Sequence, residues 1–202
     1  MTQPLDIINH LVGALGYRTY LEIGVRYRAT IDRVAAPVKH SVDIRPECQP
    51  TFAMSSDAFF AADHGLQTYD CIYIDGDHRE LPALRDTVHA VERLSHNGTI
   101  VCHDVLPANR ASARPNVSGE AWKAFAYLRM SRPDLWMGTV NTPCGCGIVR
   151  RGRQELFRPD EADAPADYSF YARYRDRLMN VVTVGCFHEM VAAWAATTAG
   201  GA

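Results

Sequence analysis

The sequence predicts an α/β protein: a doubly wound, mostly parallel sheet that ends in an antiparallel hairpin and carries a C-terminal helical extension. Two observations predict it. Through about residue 104, apolar strand-like runs alternate with segments of helical periodicity, the pattern of right-handed βαβ units. Beyond that point the rhythm changes to a helix, two strand-like runs close in sequence, and further helices.

Each element has its own signal. Leu5, Ile8, Leu11, Val12 and Leu15 follow helical spacing, and Gly16 suits the end of that helix. Tyr17 to Gly24 reads as a strand. Ala29 to Ala36 reads as a short helix stopping before Pro37. Val38 to Ile44 is a second strand and Thr51 to Met54 a short third. Ser55 or Ser56 caps a helix carrying Phe59 and Phe60. Tyr69 to Asp75 is an apolar strand ending in acid. Leu81, Leu84, Val88 and Val91 fall on one helical face. Asn97-Gly98 reads as a turn before a strand over Thr99 to Cys102.

Leu106 to Ser118 is irregular and contains two prolines, the form of a functional lid. Gly119 to Met130 is helical, and Trp122 within it is expected in the core. Leu135 to Val140 and Cys146 to Arg150 form a hairpin across NTPCG. Residues 151–166 read as a charged surface connector. Asp167 to Met179 is a helix with Phe170, Tyr174 and Leu178 on one face, and a last helix spans about Gly185 to Ala195. The expected organisation is a core over residues 1–150, with 151–202 as a connector and helices packed on the same domain.

Composition narrows the function classes. The chain has 202 residues, 21 basic and 23 acidic, with 47% hydrophobic residues. That balance excludes a wholly disordered chain and argues against nucleic-acid binding through a broad basic face. No apolar run is long enough to span a membrane and the N-terminus has no signal-peptide pattern. The six cysteines form no dense framework, so a reducing cytoplasm is the expected compartment. Cys144-Gly-Cys146 is too sparse for a zinc site.

In an open parallel sheet, ligands bind outside the carboxyl ends of the strands. This chain puts polar residues at those ends four times: Glu22-Ile23-Gly24, Asp43, Asp75-Gly76-Asp77-His78 and His103-Asp104. Gly24 is followed by Val25-Arg26-Tyr27-Arg28 with no further glycine, so the dinucleotide fingerprint is absent. Asp43 is placed to accept from ribose hydroxyls. Arg26, Arg28, Arg110 and Arg114 are the arginines placed to meet a ligand.

LEIGV, VDI, MSSDAFF, IYIDGDH and TIVCHDV, in that order, resemble the Rossmann-like class I S-adenosylmethionine-dependent methyltransferases. Within them the chain is similar to bacterial small-molecule methyltransferases with IDG-x-H and HD motifs. GEAWKAF, RPDL, CGCGIVRR and YARYRDRLMN extend the resemblance over roughly residues 15–195. The resemblance implies S-adenosyl-L-methionine as cofactor, with Glu22 and Gly24 at its methionine end. Asp43 would meet the ribose, Ser56 and Asp57 the adenine, and Asp75 the sulfonium. The usual glycine-rich turn is replaced here by Arg26-Tyr27-Arg28.

Asp75, His103 and Asp104 are candidate ligands for Mg²⁺ or Mn²⁺; the catechol-type pattern has Asp-Asn after the fifth strand where this chain has Asp104-Val105, so His103 would supply the missing ligand. Methyl transfer to oxygen also needs a base. His78 and Asp77 are the candidates, with His103 next. For His78 the competing role is capping the following helix. His10, His40, His64, His89, His96 and His188 have no such company. The expected activity is methyl transfer to a small-molecule hydroxyl. Two rivals are an adenosyl-ligand binding module without turnover and a metal-dependent α/β hydrolase. A homodimer fits the aromatic helix near the C-terminus.

Overall fold

The computed structural model describes residues 2–62, 67–114, 117–159 and 167–199. His64, part of the segment expected as a lid, and most of the acidic end of the connector lie outside them. Along the chain come α1 (Pro4–Leu15), β1 (Thr19–Ile23), β2 (Val38–Asp43), β3 (Phe52–Ala53), α2 (Ser56–Ala61) and β4 (Tyr69–Ile74). There follow α3 (Glu80–Glu92), β5 (Leu94–Cys102), α4 (Ala121–Ser131), β6 (Leu135–Val140) and β7 (Cys146–Arg151). The chain finishes with α5 (Tyr168–Leu178), β8 (Val181–Val182) and α6 (Val184–Ala199). The strands form one sheet in the order β3-β2-β1-β4-β5-β7-β6-β8. Only β7 is antiparallel to its neighbours, so the predicted parallel sheet with a terminal hairpin is what forms. Strand order reverses between β1 and β4, which makes their carboxyl ends the switch point.

Alternating side chains on the central strands build two cores, as the two-residue period of a strand requires. Leu21, Ile23, Ile72, Ile74, Ile100 and Cys102 face one layer with α2, α3, α4 and α5. Tyr20, Cys71, Tyr73 and Val101 face the other, against Ile7, Ile8 and Leu11 of α1 and Phe187 and Val191 of α6. Phe170, Tyr174 and Leu178 are buried as their spacing predicts, and Trp122 is in the core. Gly16 ends α1 with φ 66°, and Ser55 Oγ accepts from Ala58 N to cap α2.

Four expectations fail for identifiable reasons. Residues 29–36 make a single turn rather than a helix: Arg28 sits at φ 59° before it and Pro37 follows, leaving room for one turn closed by Val34 N donating to Thr30 O. Asn97-Gly98 is strand, not turn. A Cβ on Gly98 would lie 2.9 Å from the Asp70 carbonyl oxygen, so the glycine serves the close approach of β4 and β5. Leu81 is 64% exposed, and α3 instead buries Ala83, Asp86, Thr87, Ala90 and Val91. Finally, β8 was not expected; it pairs with the outer edge of β6 and brings the extension into the sheet. No helix among the described residues is long and apolar enough to cross a membrane.

Candidate active site

The carboxyl ends of β2, β1, β4 and β5 adjoin, and their acids collect along one rim. At β1, the Glu22 carboxyl is buried and accepts from Tyr20 Oη at 2.7 Å. Burial pushes it up to about 8, against the lowering effect of that hydrogen bond. The next residue but one, Gly24, has φ 86°, and a Cβ there would lie 2.4 Å from the Asp75 carbonyl oxygen. Only glycine lets the β1 turn pass so close to β4. Arg26 and Arg28 then adopt φ 46° and 59°, a left-handed conformation that side chains disfavour.

Asp43 at the end of β2 holds that turn. Its Oδ2 accepts from Val25 N at 2.9 Å and Arg26 N at 3.2 Å, and its Oδ1 from Arg45 N at 2.9 Å. Burial works to raise its pKa, but the hydrogen bonds from Arg45, Val25 and Arg26 bring it down to about 2. Asp43 therefore braces the β1 turn.

The β4 and β5 ends supply the tightest cluster. His78 Nε2 lies 3.3 Å and His103 Nδ1 3.2 Å from Asp75 Oδ1. His78 Nδ1 and His103 Nδ1 lie 3.3 and 3.5 Å from Asp104 Oδ2. Tyr73 Oη donates to Asp75 Oδ2 at 3.1 Å. Burial alone would raise the Asp75 carboxyl, but the hydrogen bonds and charges of His103 and His78 hold it well below the usual carboxylate range. The Asp75 hydrogen bond pushes His78 up to about 9, helped by the Asp104 charge and opposed by burial. Burial works to lower His103, and the hydrogen bond and charge of Asp75 outweigh it, so its pKa is raised.

Asp75, His78 and Asp104 each offer one ligand atom within 4.8 Å of the others, so this metal-capable grouping takes His78 where the sequence pointed to His103, whose Nδ1 lies 3.2 Å from Asp75 Oδ1 and 3.5 Å from Asp104 Oδ2. Asp77 stands apart. Its carboxylate caps Arg79 N at 3.0 Å and pairs with the Arg79 guanidinium, which lowers its pKa and engages both oxygens away from a base role. Asp57 is half-exposed and pairs with Arg85 at 3.0 Å. Ser56 hydrogen-bonds Asp86, whose buried carboxyl rises to about 6 because burial outweighs that bond.

Several participants were not singled out in the sequence. Tyr20 and Tyr73 each precede an acid by two positions on a strand, a spacing that puts both side chains on one face and was readable. The loop contacts to His78 and Asp104 were not. Glu120 N donates to His78 O at 2.7 Å, and the Val117 carbonyl lies 3.3 Å from His78 Nδ1. Cys144, at φ 62° in the β6–β7 loop, hydrogen-bonds Asp104, and burial raises its thiol pKa. Of the other histidines, His10 stacks on His188 with ring centroids 4.1 Å apart, and His40 hydrogen-bonds Tyr69.

A family described as "Methyltransferase domain" matches residues 21–105, the stretch that carries this rim. No curated protein sequence matches the chain. Solved structures share its fold. A putative caffeoyl-CoA O-methyltransferase from Staphylococcus aureus is 15% identical with a TM-score of 0.54, covering 75% of this chain and 85% of its own. A Podospora anserina methyltransferase with S-adenosylhomocysteine bound is 15% identical with a TM-score of 0.56, covering 75% and 80%. The O-methyltransferase TomG from Streptomyces achromogenes, in complex with S-adenosylmethionine, is 14% identical with a TM-score of 0.55, covering 75% and 81%.

Proposed function

We propose, from the premise that this chain is a class I S-adenosylmethionine-dependent methyltransferase, that it methylates a hydroxyl oxygen of a small molecule with His78 as general base. One observation carries the reading. At the switch point between β1 and β4, a base with an acid partner (His78 on Asp75) shares the rim with the buried Glu22, whose carboxyl feels the Asp75 charge. The first suits an acceptor hydroxyl and the second the methionine ammonium of the cofactor. S-adenosylmethionine and S-adenosylhomocysteine appear with the fold neighbours, and O-methyltransferase is the activity named for two of them.

Methyl transfer is an in-line displacement, so the protein's task is largely to position nucleophile, methyl carbon and sulfur. Glu22 and the braced β1 turn would hold the methionine end, and Asp43 Oδ1 would serve the ribose. Exposed Ile44, directly after Asp43, offers an apolar surface beside the adenosyl group. Ser56 would approach the adenine from the N-terminus of α2. His78 would take the acceptor proton once a hydroxyl intervenes between its Nε2 and Asp75. Acceptors face both ring nitrogens, Asp75 at Nε2 and Asp104 and the Val117 carbonyl at Nδ1, so the ring must first lose the Nε2 proton before that nitrogen can take one from the acceptor.

Asp75, His103 and Asp104 fit a divalent ion through two carboxylates and an imidazole on adjacent strand ends, with His78 beside them. Bound there, the ion would polarise the acceptor oxygen and lower its pKa. All six cysteines are unpaired, which supports a reducing compartment as the place of action.

Incubation with S-adenosylmethionine and a panel of hydroxylated small molecules tests the reading by release of S-adenosylhomocysteine. Calorimetry with S-adenosylhomocysteine tests the cofactor site alone; absence of binding at millimolar ligand would remove the premise. Cofactor binding without methyl transfer to any acceptor class would point to a binding module.

A further inference from the structure

We propose that His103 tunes the Asp75/Asp104 centre toward first-row transition dications and away from Mg²⁺. The inference rests on the acceptor site proposed above and concerns which ion these residues prefer. His103 Nδ1 lies 3.2 Å from Asp75 Oδ1 and 3.5 Å from Asp104 Oδ2, so an ion between the carboxylates meets an imidazole nitrogen. His78 presents its own ring nitrogens at 3.3 Å to the same two oxygens. The centre is thus walled by two imidazoles as well as two acids.

Hard oxygen donors are restricted further. Asp75 Oδ2 already accepts from Tyr73 Oη at 3.1 Å, leaving Oδ1 as the oxygen facing the cluster. Asp77, which follows on the same turn, is engaged by the Arg79 guanidinium and N–H. Asp104 is buried and held at φ 59°, and His103 N donates to Ile74 O at 3.0 Å, so the β5 end is fixed against β4. Two carboxylates would suit Mg²⁺ if waters completed its octahedral oxygen shell, but here imidazole nitrogens border the carboxylates in positions those waters would take. Imidazole is a favourable ligand for Fe²⁺, Co²⁺, Ni²⁺ and Zn²⁺, and Mn²⁺ tolerates mixed nitrogen and oxygen donors.

Every site binds transition ions more tightly than Mg²⁺ to some degree, so the decisive quantity is how the preference changes when the imidazole is removed. The chelator-stripped full chain is titrated calorimetrically with Mn²⁺, Co²⁺ and Mg²⁺ separately, without methyl acceptor. The same titrations are run on His103→Asp and on His103→Gln, whose amide oxygen keeps a neutral side chain of similar reach. The visible absorption of bound Co²⁺ reports nitrogen coordination. The expected result is a Co²⁺-over-Mg²⁺ affinity ratio that falls at least tenfold in both variants, with a changed Co²⁺ spectrum. An unchanged ratio and spectrum in either folded variant overturns the proposal. So does failure of the wild type to bind Mn²⁺ or Co²⁺ at millimolar concentration. S-adenosylhomocysteine titration of the same samples separates the two readings: its binding stands or falls with the methyltransferase premise, and the ion ratio with His103.

Discussion

Gly119 lies against His78 so closely that a Cβ on the glycine would be 2.6 Å from the histidine Cβ and 2.7 Å from its carbonyl oxygen. Gly119 also has φ 63°, a conformation that side chains resist. The segment after the irregular loop is therefore seated on the proposed base. Gly119→Ala should push the two apart. Turnover should fall at least tenfold with S-adenosylhomocysteine affinity within a few-fold of wild type, measured by steady-state kinetics beside calorimetry. A parallel loss of both would show that the glycine supports the fold alone.

His78→Ala should reduce turnover by about 10²-fold or more, the usual contribution of general-base catalysis, and leave cofactor affinity intact. Asp75 and Asp104 raise the His78 pKa to about 9, so at neutral pH without a divalent ion the ring is mostly protonated and unable to accept a proton. The ion-free rate should then climb as pH rises toward 9, and a bound cation should shift that limb to lower pH. A pH–rate profile that is identical in wild type and variant would move the base elsewhere.

Glu22 links the cofactor site to proton uptake. Its folded pKa of about 8 lies above the ordinary glutamate value near 4.5, so the ligand-free protein binds the extra proton between those limits. The stability contribution is full below the lower value and is lost as pH rises through the upper one. An ammonium bound beside Glu22 favours its carboxylate. Cofactor binding at pH 7 should therefore release protons, seen as a dependence of calorimetric enthalpy on buffer ionisation heat. Glu22→Gln should abolish that release, weaken binding, and flatten the fall in apo melting temperature between pH 6 and 8. A buffer-independent enthalpy in the wild type would reject the link.

Asp43→Asn keeps shape and removes charge from a group that accepts from Val25 N, Arg26 N and Arg45 N. Hydrogen bonds to a charged acceptor are worth about 1.5–3 kcal/mol each, so weakening them should loosen the β1 turn. S-adenosylhomocysteine affinity should drop by an order of magnitude or more. Asp43→Ala should do so more strongly and should expose the turn to faster amide exchange. Retained affinity in both variants would remove Asp43 from the cofactor site.

The acids of this site were legible because strand ends are legible: YLEIG, VDI, YIDGDH and VCHD each combine an apolar run with an abrupt polar stop. Their convergence followed from the βαβ rhythm. The contacts that tune them were less visible. Asp77 and His78 are adjacent and equally plausible as bases in sequence, yet Arg79 engages one while the β5 end surrounds the other. Val117, Gly119 and Cys144 reach the site through long-range folding of loops, which periodicity does not record. The helix expected over 29–36 had the right composition but too little chain between a left-handed Arg28 and Pro37.

Beside the single turn that buries Ile31 and Val34, α1 and α6 cover one face of the sheet, with Ile7, Ile8, Leu11, Phe187 and Val191 packed over Tyr20, Cys71 and Tyr73. The wall behind the rim is thus assembled from segments far apart in sequence, one before β1 and one after β8. Without α6, the part of this face under Phe187 and Val191 loses its cover. Every residue of the proposed site precedes α6, yet part of the support behind that site comes from α6, so shortening the chain before Phe187 should cost stability and activity together although no site residue is lost.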